Sequence, residues 1–178
     1  MDVAMTLSLR TFFRGIALFG SLTGEELNEV LRLAKPFVRE AGETLFSEGD
    51  PSDGMYVIER GEVAVTTSGR NGERVRLAEL GNGAVIGELS LIDGATRSAT
   101  VETVAMTSGF WISRPRFEEL RSGGSRAAYK VMLQCARILE RRRRITDQRY
   151  RDLLAAPNKA SLLEKRDVRE TFGVLRKA

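Results

Sequence analysis

From Phe37 to Ser113 the chain breaks into short β-type runs separated by glycine: ETLFSEG, GMYVIERG, EVAVTTSG, RVRLAELGNG and SATVETVAMTSGFWIS. Strands this short, recurring this often, bury an apolar face only by stacking or rolling a sheet upon itself, so a β-sandwich or β-roll is expected. Gly42, Gly49, Gly61 and Gly81 stand at the reversals, where a residue without Cβ turns the chain at low cost. In SGRNG, residues 68–72, Asn71-Gly72 lies between two alternating runs and marks a hairpin turn. No strand-length repeat suggests a propeller or solenoid.

Different patterns flank this segment. Residues 1–36 form an N-terminal helical segment, in which Thr23 and Glu26 make a capping box before Leu27, Val30, Leu31 and Ala34 at helical spacing. That helix is expected over Thr23–Lys35, with Pro36 as its stop. The β-region occupies 37–113. After it, 114–156 reads as a hinge helix with a Ser113 cap and Pro115 near its first turn, followed by a long helix from Ser125 that ends before Pro157. The long helix has an apolar stripe of Val131, Cys135, Ile138 and Ile145, interrupted by Arg142. The tail, 157–178, is read as weakly helical through Leu163, Val168, Phe172 and Leu175.

Composition removes whole classes of function. The 178 residues contain no histidine, so Ser-His and Cys-His relays and imidazole metal sites are excluded, and the chain reads as a non-enzyme with neither catalytic residues nor a metal or cofactor. Cys135 is the single cysteine; it permits no internal disulfide and sits where a packed thiol is expected. No apolar run approaches the roughly 18 residues of a membrane span, and Asp2, Arg10 and Arg14 interrupt any leader-like core. The expectation is a cytoplasmic protein without a membrane partner. Charge is unevenly distributed: residues 1–112 sum to −6 and residues 113–178 to +10, for a net charge of +4. An acidic body therefore carries a basic tail.

Within the β-region, GELSLIDGATRSATV (87–101) places Glu88 nine residues before Arg97, with small residues around both. The connector LIDGAT brings both ends towards one pocket. Arginine presents a planar donor fork and turn amides form an anion nest, a combination suited to phosphate. A carboxylate only accepts hydrogen bonds, which suits a hydroxyl-rich group such as ribose. Together they suggest a nucleotide; a solvated surface ion pair is the alternative on spacing alone.

The stretch IGELSLIDGATRSATV resembles the phosphate-binding cassette of the cyclic nucleotide-binding domain family. Upstream, GETLFSEGDPSDGMYVIERGEVAV is similar to that family's first hairpins, with Gly42, Gly49, Asp50, Tyr56 and Gly61 in matching places. The resemblance runs from about Phe13 to Arg144 and points to bacterial-type cAMP or cGMP sensors. It implies an α+β fold: a β-roll, a jelly-roll-like antiparallel barrel, flanked by an N-terminal helix and a long C-terminal lid helix. It also implies the site. Glu88 would hold the ribose 2′-hydroxyl beside the Gly87 amide, and Arg97 would clamp the cyclic phosphate with the backbone N–H groups of Ser90 and Ser98. Leu89 would wall the pocket, Ala99 completes the pattern, and apolar strand residues near Val75 and Leu77 would touch the base. Thr96 stands where proline is usual and Ile86 where phenylalanine is usual, which leaves the approach to Arg97 less rigid and the wall less bulky. The hydroxyl of Ser98 suits adenine or guanine; cAMP is favoured, with cGMP the alternative.

The family also implies a latch. Ligand would draw in the short helix 114–121 and swing the long helix over the base, with Tyr129, Val131, Met132 and Leu133 as lid residues, while FFRGIALFGSL shifts in compensation. The output would be an unidentified protein partner. The run ERRRRITDQRYR invites nucleic acid. Only 34 residues follow Arg144, without a two-helix turn pattern, so a solvated or partner-binding helix is preferred over a DNA-binding regulator. A homodimer through the Val131–Ile145 stripe and a degenerate, ligand-free scaffold are the remaining alternatives.

Overall fold

Strand β3 (Gly54–Arg60) is buried on both faces, and the fold is organised around it. Its alternation sends Met55 and Val57 into one core and Ile58 into another, as the two-residue period of a strand requires. The computed structural model describes residues 3–69 and 71–155; the weakly helical reading of 157–178 lies outside the described residues.

The remaining elements follow in chain order. Helices α1 (Val3–Arg14) and α2 (Gly24–Leu31) precede strands β1 (Ala34–Arg39) and β2 (Thr44–Phe46). After β3 come β4 (Val63–Ser68), β5 (Arg74–Leu80), β6 (Val85–Ile86), a 3₁₀ turn over Glu88–Leu91, β7 (Thr100–Thr103) and β8 (Thr107–Ser113). Helices α3 (Arg114–Ser122) and α4 (Arg126–Ala155) close the described chain. The strands pair antiparallel in two four-stranded sheets, ordered β1-β8-β3-β6 and β2-β7-β4-β5. Each sheet keeps its own edges, so the expected barrel is an open roll rather than a closed cylinder.

Between the sheets lies one core, built from Ile58, Val63, Val65, Leu80, Ile86 and Val101, with Phe37 and Phe46 packed against it. The other core covers the outer face of β3 and β8. There Met55, Val57 and Ile112 meet Phe13, Phe19, Leu27, Phe117, Val131 and Cys135 from the helices. Each such apolar side chain, fully buried, contributes about 1.5–3 kcal/mol.

The local signals act where the residues put them. Thr23 Oγ1 accepts from the Glu26 N–H at 3.3 Å while Glu26 Oε2 accepts from the Thr23 N–H at 2.7 Å, which completes the capping box. The helix nevertheless ends at Leu31, short of the expected Lys35, and Pro36 lies inside β1. As β1 is an edge strand, a residue without an N–H fits there. Ser113 caps α3, and the Ser125 hydroxyl accepts from the Ala128 N–H at the start of α4. Two contacts tie that start to α2: the Ser125 hydroxyl donates to Glu29 Oε2 at 2.6 Å, and Lys130 Nζ donates to Glu26 Oε2 at 2.7 Å.

Candidate functional site

The two cores meet at the segment 86–99. Ile86 and Ala99 belong to the roll interior, whereas Leu91 belongs to the helical core, so the residues between them line a seam. Gly87 makes the turn out of β6 with φ 72°, a left-handed conformation, and a Cβ there would collide with Arg97 Nη1. Glycine is required on both counts. The 3₁₀ turn that follows is closed by Ser90, whose N–H and hydroxyl both donate to the Gly87 carbonyl, at 3.1 and 2.7 Å.

Arg97 is fixed at its backbone. Its N–H donates to the Asp50 carbonyl at 2.8 Å and its carbonyl accepts from the Gly49 N–H at 2.9 Å. These two bonds supply the rigidity that Thr96, in place of proline, does not. The side chain is 2% exposed, with Nη2 at 2.6 Å from Asp53 Oδ1 and the guanidinium carbon 4.0 Å from the centroid of the Phe46 ring. Its Nε and Nη1 are sealed from water and lack an acceptor. Buried donors without a partner are costly, particularly on a charged group.

Glu88 does not pair with Arg97. Its side chain is 5% exposed, and Oε1 lies 2.7 Å from Nη1 of Arg142, on α4. The contact is an ion pair by distance, yet no guanidinium N–H is aimed at Oε1 well enough to make a hydrogen bond. Behind it, Cys135 Sγ lies 3.9 Å from the Glu88 carbonyl oxygen. Burial, reinforced by the Glu88 charge, pushes the Cys135 thiol up to about 12, so it is a packed thiol rather than a nucleophile.

These groups border a pocket of about 480 Å³. Gly87, Glu88, Leu89, Ser90, Arg97, Ser98 and Ala99 all line it, together with an apolar wall of Val65, Leu80, Val85, Ile86 and Val101. The volume falls in the range of small-molecule sites, as does the combination of apolar walls and few charged groups. Among the described residues, no group of three or more His, Cys, Asp or Glu side chains could hold a metal ion.

A model of the family described as "Cyclic nucleotide-binding domain" matches residues 37–123. The structure of a cyclic nucleotide-binding-like protein from Brucella abortus is 32% identical; the match covers 64% of this chain and 97% of that one, with a TM-score of 0.56. The chain belongs to the cyclic nucleotide-binding domain family. The Thermus thermophilus catabolite activator protein is similar as well, at TM-score 0.68 and 29% identity over 78% of this chain and 63% of that one. A CRP-like cAMP-activated global transcriptional regulator of Mycobacterium tuberculosis is 29% identical over 142 residues, 78% of this chain and 62% of its own length. The chain spans 22%, 19% and 62% of the length of three curated relatives it matches.

Within this cyclic nucleotide-binding domain the helix that meets the pocket does so further along than expected. Leu139, Arg142, Arg143 and Thr146 line the cavity. Of the expected lid residues, Tyr129 is 68% exposed and Val131 is buried in the helical core with Met132 packed against that core. Because Val131 and Cys135 are covered within the chain, that part of the stripe is not free to pair with a second copy. Val75 is exposed and Leu77 packs on the roll interior; of the apolar residues further along, Leu80 and Val85 line the pocket. Asp53, Phe46 and Arg142 escaped the sequence reading. Arg142 alone left a signal, as the charged residue interrupting an apolar stripe.

Proposed function

We propose that this domain is a cyclic nucleotide sensor, with cAMP the favoured ligand, whose α4 responds to binding and passes the response to a protein partner. The observation that carries the reading is the pair of unpartnered, buried donors Nε and Nη1 of Arg97 at the wall of an otherwise largely apolar pocket. Anionic oxygens of a ligand would supply the missing acceptors, and a guanidinium is well suited to a phosphate. Glu88, in the same wall, would accept from the ribose 2′-hydroxyl, and Val65, Leu80 and Val101 offer apolar surface to a purine. Ser98 also lines the pocket, and its hydroxyl would be offered to the base. That the Mycobacterium tuberculosis relative is cAMP-activated supports the same ligand class.

A second reading, a ligand-free scaffold, draws on one fact: Asp53 and Arg142 already engage the two charged arms. Titration calorimetry with cAMP, cGMP and a cyclic dinucleotide separates the two. Saturable binding of cAMP is expected, and Arg97→Ala should weaken it about 10- to 100-fold, the loss of a charge-assisted contact of about 1.5–3 kcal/mol. No heat with any of the three at millimolar concentration overturns the sensor reading. An Arg97→Ala protein that melts like the wild type and binds equally well overturns the role given to Arg97.

A further inference from the structure

The interrupted stripe of α4 leads to one more role. Val131, Cys135 and Ile138 turn one helical face into the core, and Arg142 is the next residue on that face, at i+4 from Ile138. Instead of reaching solvent it is 21% exposed, with Nη1 at 2.7 Å from the buried Glu88 carboxylate. The pair sits between two spaces. On one side is the 480 Å³ pocket; on the other is a cavity of about 20 Å³ walled by Ile16, Leu18, Val85 and Ile138. The N-terminal segment, β6, the 3₁₀ turn and α4 thus converge on this contact. Among the described residues, the other ion pairs of α4 beyond Ile138 stay within the helix, Arg143 with Asp147 and Arg144 with Glu140.

We propose that Arg142 is a positioning residue for the Glu88 carboxylate and, through the same contact, the clasp that fastens the distal half of α4 over the pocket. The proposal rests on the reading of Glu88 as the sugar-recognising group. With the clasp closed the pocket still encloses about 480 Å³, so Arg142 does not fill the site, and a carboxylate has lone pairs enough for a guanidinium and a hydroxyl together. Ligand and clasp therefore share Glu88 and favour each other, and by linkage the clasp strengthens binding by the factor that ligand strengthens docking. Removing Arg142 also leaves the buried Glu88 carboxylate without the group that holds it in place at the pocket wall.

Two measurements on the full chain test this, using Arg142→Gln and the conservative Arg142→Lys, each first shown by thermal melting to be folded. Without nucleotide, hydrogen exchange of the amides of residues 139–147 should be about tenfold faster in Arg142→Gln, because local opening is set by the contacts that hold the segment down. Arg142→Lys should recover most of the protection. The double variant Arg142→Gln/Glu88→Gln should exchange no faster than the faster single variant. By calorimetry, Arg142→Gln should narrow the preference for cAMP over 2′-deoxy-cAMP about fivefold or more, a coupling of ordinary size between sites, and Arg142→Lys should restore it. A merely structural role would weaken both nucleotides equally and leave their ratio unchanged, which overturns the positioning role. Unchanged exchange in Arg142→Gln overturns the clasp, and tighter cAMP binding by that variant overturns the sharing of Glu88. If the wild type binds neither nucleotide, the sensor reading and the sugar-positioning role fall together, and the exchange measurement alone decides the clasp.

Discussion

The two halves of α4 are one continuous helix held in place by different physics. From Arg126 to Ile138 it is anchored by burial: Ala127, Ala128, Val131 and Cys135 are inside the helical core, and Ser125 and Lys130 reach α2. From Leu139 to Ala155 it carries the run Arg141–Arg144, and among the described residues its charged tie to the domain, apart from the intrahelical pairs, is the Arg142–Glu88 contact. Apolar burial of about 1.5–3 kcal/mol per side chain holds the first half, whereas exposed helix-surface ion pairs of about 0.3–0.5 kcal/mol give the second little of its own. The division falls at the rim of the pocket. A helix can thus have one end that is part of the fold and another whose docking is adjustable, since local stability follows local contacts rather than secondary structure.

The comparison is tested most severely by Val131→Asp. A carboxylate forced into the helical core without a partner should cost about 4 kcal/mol or more, read by urea unfolding; a loss within about 1 kcal/mol would show that the first half is not anchored by burial. Leu139→Ala, at the first residue past the boundary and 37% exposed in the wild type, should cost about 1 kcal/mol or less. A loss as large as that of a core residue would erase the boundary placed there. The smallest effect concerns the tie between α2 and α4. The hydrogen bond from Lys130, with that from the Thr23 N–H, holds the Glu26 carboxyl below its ordinary value of 4.5. A depressed carboxylate contributes stability that is present above its ordinary value and lost as pH falls through the folded-state value. Melting temperature should therefore decline slightly more steeply below pH 4.5 in the wild type than in Glu26→Gln. Parallel curves would mean that this tie contributes nothing.

What the sequence determined by itself was whatever depends on near neighbours. The capping box of Thr23 and Glu26, the Ser113 cap, the short strands with their glycine reversals and the cassette from Gly87 to Ala99 are set by contacts a few residues apart or by a two-residue alternation, and such patterns are written along the chain. Glu88 and Arg97 could be singled out as pocket residues because their segment carries its own turn chemistry and a recognisable order of residue types. Their partners could not. Asp53 is 44 residues from Arg97, and Arg142 reaches Glu88 only because the helical core fixes both the depth and the rotation of α4. That rotation turns Tyr129 to solvent and brings Leu139 and Thr146 to the pocket. The charge interrupting the apolar stripe marked Arg142 as unusual, but its meaning depended on which buried carboxylate the packed domain set opposite it. Contacts between distant segments are decided by how the cores pack, and packing is a property of the whole chain, with no local pattern to record it.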